Sequence, residues 1–154
     1  MSDIVVVCTD GSELADRAAH AGLARLREGA EVIVVTVVAH DDPTLVLGAG
    51  MAGGTETPEE YERLNAERRA EGSAAIDRLV QGLGTSNVRT EMLTGDAGVA
   101  VCEFAAEVGA AVIVLGTRGR GGFKRAFLGS VSDYVVRNAP CSVMVTNEHG
   151  DATG

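Results

Sequence analysis

The chain has 154 residues, with 22 acidic against 13 basic side chains and a formal charge of −9. That length suits one domain with a substantial core, and 45% hydrophobic with 23% charged residues excludes wholesale disorder. A pI near 4.7 argues against a broad nucleic-acid face or attraction to an anionic membrane, both of which need basic surface.

The first apolar run, Ile4-Val5-Val6-Val7-Cys8, is short and Val-rich, as strands covered on both faces are. A helix over about 13–28 follows, with Ser12 as its N-cap and Gly29 as its stop. Residues 32–38 read as a second buried strand. Thr57-Pro58-Glu59-Glu60 has the cap, the N1 proline and the N3 glutamate of a strong helix start, which predicts a helix to about Gln81. Val88–Met92 alternates like an edge strand. Asp96 caps a third helix ended by Gly109, and Ala111–Leu115 is the fourth strand. A last helix runs from near Ser130 to before Pro140, and Ser142–Thr146 makes the fifth strand. Strict alternation of strand and helix predicts right-handed crossovers and a parallel α/β sheet.

Cys8, Cys102 and Cys141 form no CxxC or Cys/His cluster, so reduced, buried thiols are expected rather than zinc or disulfides. Met1-Ser2-Asp3-Ile4 has no basic n-region, and no apolar stretch approaches the roughly 20 residues of a membrane span, so a cytoplasmic location is expected.

Gly48-Ala49-Gly50-Met51-Ala52-Gly53 fits GxGxxG but lacks the strand before it and the helix within it that a dinucleotide fingerprint needs. The stretch Gly116–Ser132 has the right context. It follows a strand, carries Gly116, Gly119, Gly121, Gly122 and Gly129, and opens a helix at Gly129-Ser130-Val131-Ser132. Glycines let backbone N–H groups turn toward an anion, and a helix start favours phosphate. Ser130 and Ser132 add hydroxyl donors. Arg118, Arg120, Lys124 and Arg125 place four of the 13 bases here, including the one lysine. No GxxxxGK[ST] is present, so this is not a Walker P-loop. Asp10, at the carboxyl end of the first strand, suits a ribose hydroxyl or a metal on a phosphate; a plain Asx-turn is the alternative.

Together these residues resemble the universal stress protein family along nearly the whole chain. The likeness includes Val-Cys-Thr-Asp-Gly-Ser at the start, Gly95-Asp96, the Val-Ile-Val-Leu-Gly-Thr-Arg-Gly stretch and the terminal Ala-Pro-Cys-Ser-Val-Met-Val. The spacing Gly116-x2-Gly119-x9-Gly129-Ser130 matches the motif of the family's ATP-binding branch. The resemblance implies a Rossmann-like α/β/α sandwich with a five-stranded parallel sheet of order 3-2-1-4-5, one domain over 1–147, a polar tail over 148–154 and homodimers paired through the last strand. It also implies ATP, ADP or AMP as ligand, with Mg2+ or Mn2+ as companion ion. Carried over by position, Asp10 would meet the ribose and Val37 would pack on adenine. Gly116 would lie near the ribose, and Gly119, Gly129, Ser130, Val131 and Ser132 would surround the phosphates. Arg118 stands where many relatives have His or another polar residue, and Cys8 and Leu115 would line the adenine pocket by weaker analogy, whereas the apolar runs themselves read Val37 and Leu115 as core packing.

Three functions compete. A nucleotide-binding regulatory module in the stress response would be read by a protein partner. A slow ATPase or phosphotransferase would need a positioned base, and His20, His40 and His149 mark no such residue, so no catalytic or metal-ligating residue is assigned. A dimeric interaction protein independent of nucleotide is the third.

Overall fold

The computed structural model describes residues 3–26, 28–39, 57–117 and 128–146. Val and Ile dominate the strands, where their branched side chains pack on a pleated surface. The strands are β1 (Ile4–Cys8), β2 (Glu31–Val38), β3 (Val88–Thr94), β4 (Val112–Gly116) and β5 (Ser142–Thr146). They form one sheet of order β3-β2-β1-β4-β5, and every neighbouring pair is parallel. This is the Rossmann-like arrangement anticipated above.

Four described helices cover the faces: α1 (Glu13–Leu23), α2 (Pro58–Leu83), α3 (Ala97–Val108) and α4 (Ser130–Asn138). Alternate strand residues point to opposite sides. Val6, Ile33, Val35, Ile113 and Leu115 meet Val101 and Ala105 of α3 and Val135 of α4. Val5, Val7, Val32, Val34 and Val114 meet Ala19 of α1 and Ile76 and Leu79 of α2. Each large side chain so buried contributes roughly 1.5–3 kcal/mol. Among the described residues no helix is long and apolar enough to cross a membrane.

Helix ends follow their signals. Ser12 accepts from the Ala15 amide at 3.1 Å and Asp96 from the Val99 amide at 3.1 Å. Thr57 and Glu60 make the reciprocal capping box, at 3.2 and 2.9 Å. Gly84 and Gly109 close α2 and α3 in the left-handed conformation, at φ 61° and 65°. The first helix is shorter than its sequence pattern. Regular helix stops at Leu23, and the Arg25 and Leu26 amides bond three residues back, to Gly22 and Leu23. That tightened turn swings Leu26 against the core beneath α1 and α2.

The two sheet edges differ. Arg89 and Glu91 of β3 are exposed, and Arg89 pairs with Glu31 of β2 at 3.0 Å. The exposed side of β5 carries no charge; Val143, Met144 and Val145 are only partly buried.

Candidate functional site

Strand order reverses between β1 and β4: the chain leaves β1 toward β2 and leaves β4 toward β5. Crossovers diverging from adjacent parallel strands open a crevice beyond their carboxyl ends, where α/β sheets take ligands. Two turns form its walls.

The β1–α1 turn is Thr9-Asp10-Gly11-Ser12. The Thr9 amide donates to the Val35 carbonyl at 3.0 Å, which extends the sheet one residue past β1. Asp10 Oδ1 accepts from the Ser12 amide at 2.9 Å, so the Asx-turn reading holds for that oxygen. Gly11 has φ 79°, a conformation glycine adopts without the Cβ penalty. Thr9 is buried, and its Oγ1 accepts from the Gly11 amide and donates to Asp16 Oδ1, each at 3.1 Å.

Opposite stands the junction of β4 with α4. The Thr117 amide donates to Thr146 of β5 at 3.0 Å, and the Gly129 amide donates to the Thr117 carbonyl at 2.8 Å. Gly129 is therefore fastened directly beside the end of β4, although twelve positions separate it from Thr117 along the chain. It is the N-cap of α4 and has no side chain to cap it. The amides of Ser130, Val131 and Ser132 in the first turn have no intrahelical acceptor. Ser130 and Val131 are exposed, whereas Ser132 is 2% exposed. Its hydroxyl lies 2.9 Å from the Gly129 carbonyl and 3.3 Å from that of Thr117. That hydroxyl ties the first turn of α4 to the end of β4.

The remaining positions divide. Gly116 ends β4 beside Thr146. Val37 is partly buried on the α3–α4 side of β2, next to Leu93 of β3. Leu115 is a core residue, 4% exposed. Cys8 packs on the same core, and burial pushes its thiol up to about 12. Arg118, Gly119, Arg120, Lys124, Arg125, His40, His149, the 48–53 glycine motif and the 148–154 tail lie outside the described residues. Among the described residues no group of three His, Cys, Asp or Glu side chains is placed to hold a metal. Thr9, Asp16, Thr117 and Arg78 were not among the sequence candidates, yet they build the two walls. Thr9 and Asp16 flank the Asp-Gly-Ser turn; Arg78 reaches it from α2 with no sequence signal.

A family model for universal stress proteins matches residues 1–147. The chain belongs to the universal stress protein family. A universal stress protein of Methanocaldococcus jannaschii is 33% identical over 145 residues, covering 94% of this chain and 81% of the relative. Among solved structures, a universal stress protein in complex with cAMP is 28% identical, with a TM-score of 0.62 over 94% of this chain and 97% of that one. The universal stress protein of Archaeoglobus fulgidus in complex with dAMP is 25% identical, with a TM-score of 0.55 over 94% and 97%.

Proposed function

We propose that this universal stress protein is an adenine-nucleotide-binding regulatory module of the cytoplasm, with ATP, ADP or AMP as ligand. The observation that carries the reading is the start of α4, capped by no side chain and fastened by the Gly129–Thr117 hydrogen bond beside the crevice between β1 and β4. Its free amides and the positive end of the helix dipole favour phosphate. The relatives that hold cAMP and dAMP combine adenine, sugar and phosphate in one ligand.

Each residue has a distinct part. The amides of Ser130, Val131 and Ser132 and the Ser130 hydroxyl donate to phosphate oxygens, and Gly116, Gly119 and Gly129 let the backbone approach. Arg118 adds charge. Asp10 accepts from ribose, and Val37 offers apolar surface to the base. Mg2+ binds through one or two carboxylates plus phosphate and water, so Asp10 alone suits it, or Mn2+, only as a companion of the nucleotide. The uncharged β5 edge suits a homodimer, and occupancy acts as a switch where one conformation binds nucleotide more tightly.

Ser130→Pro tests this reading. Proline is tolerated at the first helical position and removes one amide and one hydroxyl together, whereas Ser130→Ala removes the hydroxyl alone. Calorimetric titration should show Ser130→Pro losing about 10- to 100-fold in ATP affinity, since hydrogen bonds to charged groups contribute about 1.5–3 kcal/mol. Adenosine binding should stay unchanged. Wild-type protein that binds no adenine nucleotide saturably would overturn the reading.

A further inference from the structure

The turn that carries Asp10 sits inside a closed ring of hydrogen bonds. Thr9 Oγ1 donates to Asp16 Oδ1 at 3.1 Å. Asp16 Oδ2 accepts from Arg78 Nε at 3.5 Å. One terminal nitrogen of Arg78 donates to the Gly11 carbonyl at 2.7 Å, and the Gly11 amide returns to Thr9 Oγ1 at 3.1 Å. Three segments meet in it: the turn just past β1 through Thr9, α1 through Asp16 and α2 through Arg78. Asp10 lies between Thr9 and Gly11, so it moves only as that backbone moves.

We infer that Arg78 and Asp16 are positioning residues that hold the Thr9–Ser12 turn in the conformation presenting Asp10 to the crevice. The inference rests on the nucleotide reading above for its functional consequence, and on geometry alone for the clamp. Several features favour Arg78 in this part. Gly11 has φ 79°, and a glycine with so many accessible conformations needs an external hold on its carbonyl. Only a planar guanidinium offers two donors in a fixed fork, one for a carboxylate and one for a carbonyl; a lysine ammonium is a point charge on a flexible stem. The Arg78 side chain is 59% exposed while Asp16 is 18% exposed. The fork therefore closes over the turn from outside, and its removal leaves the core intact. Ion pairs this exposed add little to overall stability, which directs its effect to the local turn.

The first measurement needs no ligand. Amide hydrogen exchange by NMR on the apo protein should show Gly11 and Ser12 exchanging about tenfold faster in Arg78→Ala, with sheet amides such as Val6 and Ile33 unchanged. Arg78→Lys should restore only part of the protection. The second is a double-mutant cycle on ATP affinity with Asp10→Ala. Arg78→Ala should weaken binding about three- to tenfold in the wild-type background and hardly at all once Asp10 is gone. Unchanged exchange at Gly11, or losses that simply add, would overturn the positioning role. Absence of nucleotide binding in the wild type would sink the functional reading instead, and the exchange data would still decide the clamp.

Discussion

Gly98 lies so close to Tyr134 that a Cβ on the glycine would fall 2.7 Å from the tyrosine Cδ1 and 3.0 Å from its Cβ. This is where α3 meets α4, and the crowded atoms sit at the root of the tyrosine side chain, where rotation gives little relief. Gly98→Ala should therefore push α4 outward. Overpacking costs about 1–3 kcal/mol, partly offset by the better helix propensity of alanine, about 1 kcal/mol. A net loss near 1 kcal/mol in urea unfolding is expected, together with weaker nucleotide binding. Adding Tyr134→Ala should remove most of the steric component, which a double-mutant cycle measures.

Gly22 and Gly72 make a graded pair. A Cβ on Gly22 would overlap Val114 Cγ1, and Val114 is wholly buried in β4. A Cβ on Gly72 would sit 3.2 Å from the Thr36 methyl and 3.4 Å from the ends of Met92 and Val38. Gly22→Ala should cost about 2–3 kcal/mol, since the sheet cannot yield. Gly72→Ala should fall within about 0.5 kcal/mol of wild type, because methyl groups can shift slightly and alanine favours the helix. Equal effects in chemical denaturation would contradict this packing account.

The Asp96 cap is separable from the packing at Gly98. Its carboxylate accepts from the Val99 amide at 3.1 Å on the exposed surface. Asp96→Ala should cost about 1 kcal/mol, and Asp96→Asn should retain most of the stability. Thermal unfolding of the two variants provides the comparison.

Alkaline pH should weaken the fold. Burial, reinforced by Cys102, pushes the Cys8 thiol from 9.0 up to about 12. Burial also raises Cys102 and Cys141. The unfolded chain loses these protons first, near pH 9, while folded Cys8 keeps its own. Its contribution is therefore complete below pH 9 and declines as pH rises from about 9 to 12. The slope from Cys8 is at most about 1.4 kcal/mol per pH unit. Urea titrations from pH 8 to 11 should fall more steeply for wild type than for Cys8→Ala.

The legible parts of this chain were those with local causes. Val-rich runs marked the strands, Thr57-Pro58-Glu59-Glu60 and Asp96 marked helix starts, and Gly109 marked a stop. The start of α4 was legible because Gly129 and Ser130 stand where a helix N-terminus follows irregular chain, and Gly129 is its N-cap. The end of α1 was not, since Ala24 to Glu28 keep a helical composition while the turn at Leu26 answers to the core beneath it. Ser132 was read as a donor to phosphate, yet its neighbour across the turn is the carbonyl of Thr117, fifteen positions away. Arg78 was invisible for the same reason: nothing near it in sequence announces an aspartate 62 positions earlier. For Leu115, core packing is the stronger reading of its unbroken apolar run, and the side chain is a core residue.

Exposed sheet edges are where further copies add. Here the β3 edge displays Arg89 and Glu91, and the β5 edge displays none of either charge. A sheet open to addition at both ends would propagate into a fibre, whereas here charge blunts the β3 edge and leaves β5 as the uncharged one. Two copies meeting there about a twofold axis would consume that side on each, and growth would halt at ten strands.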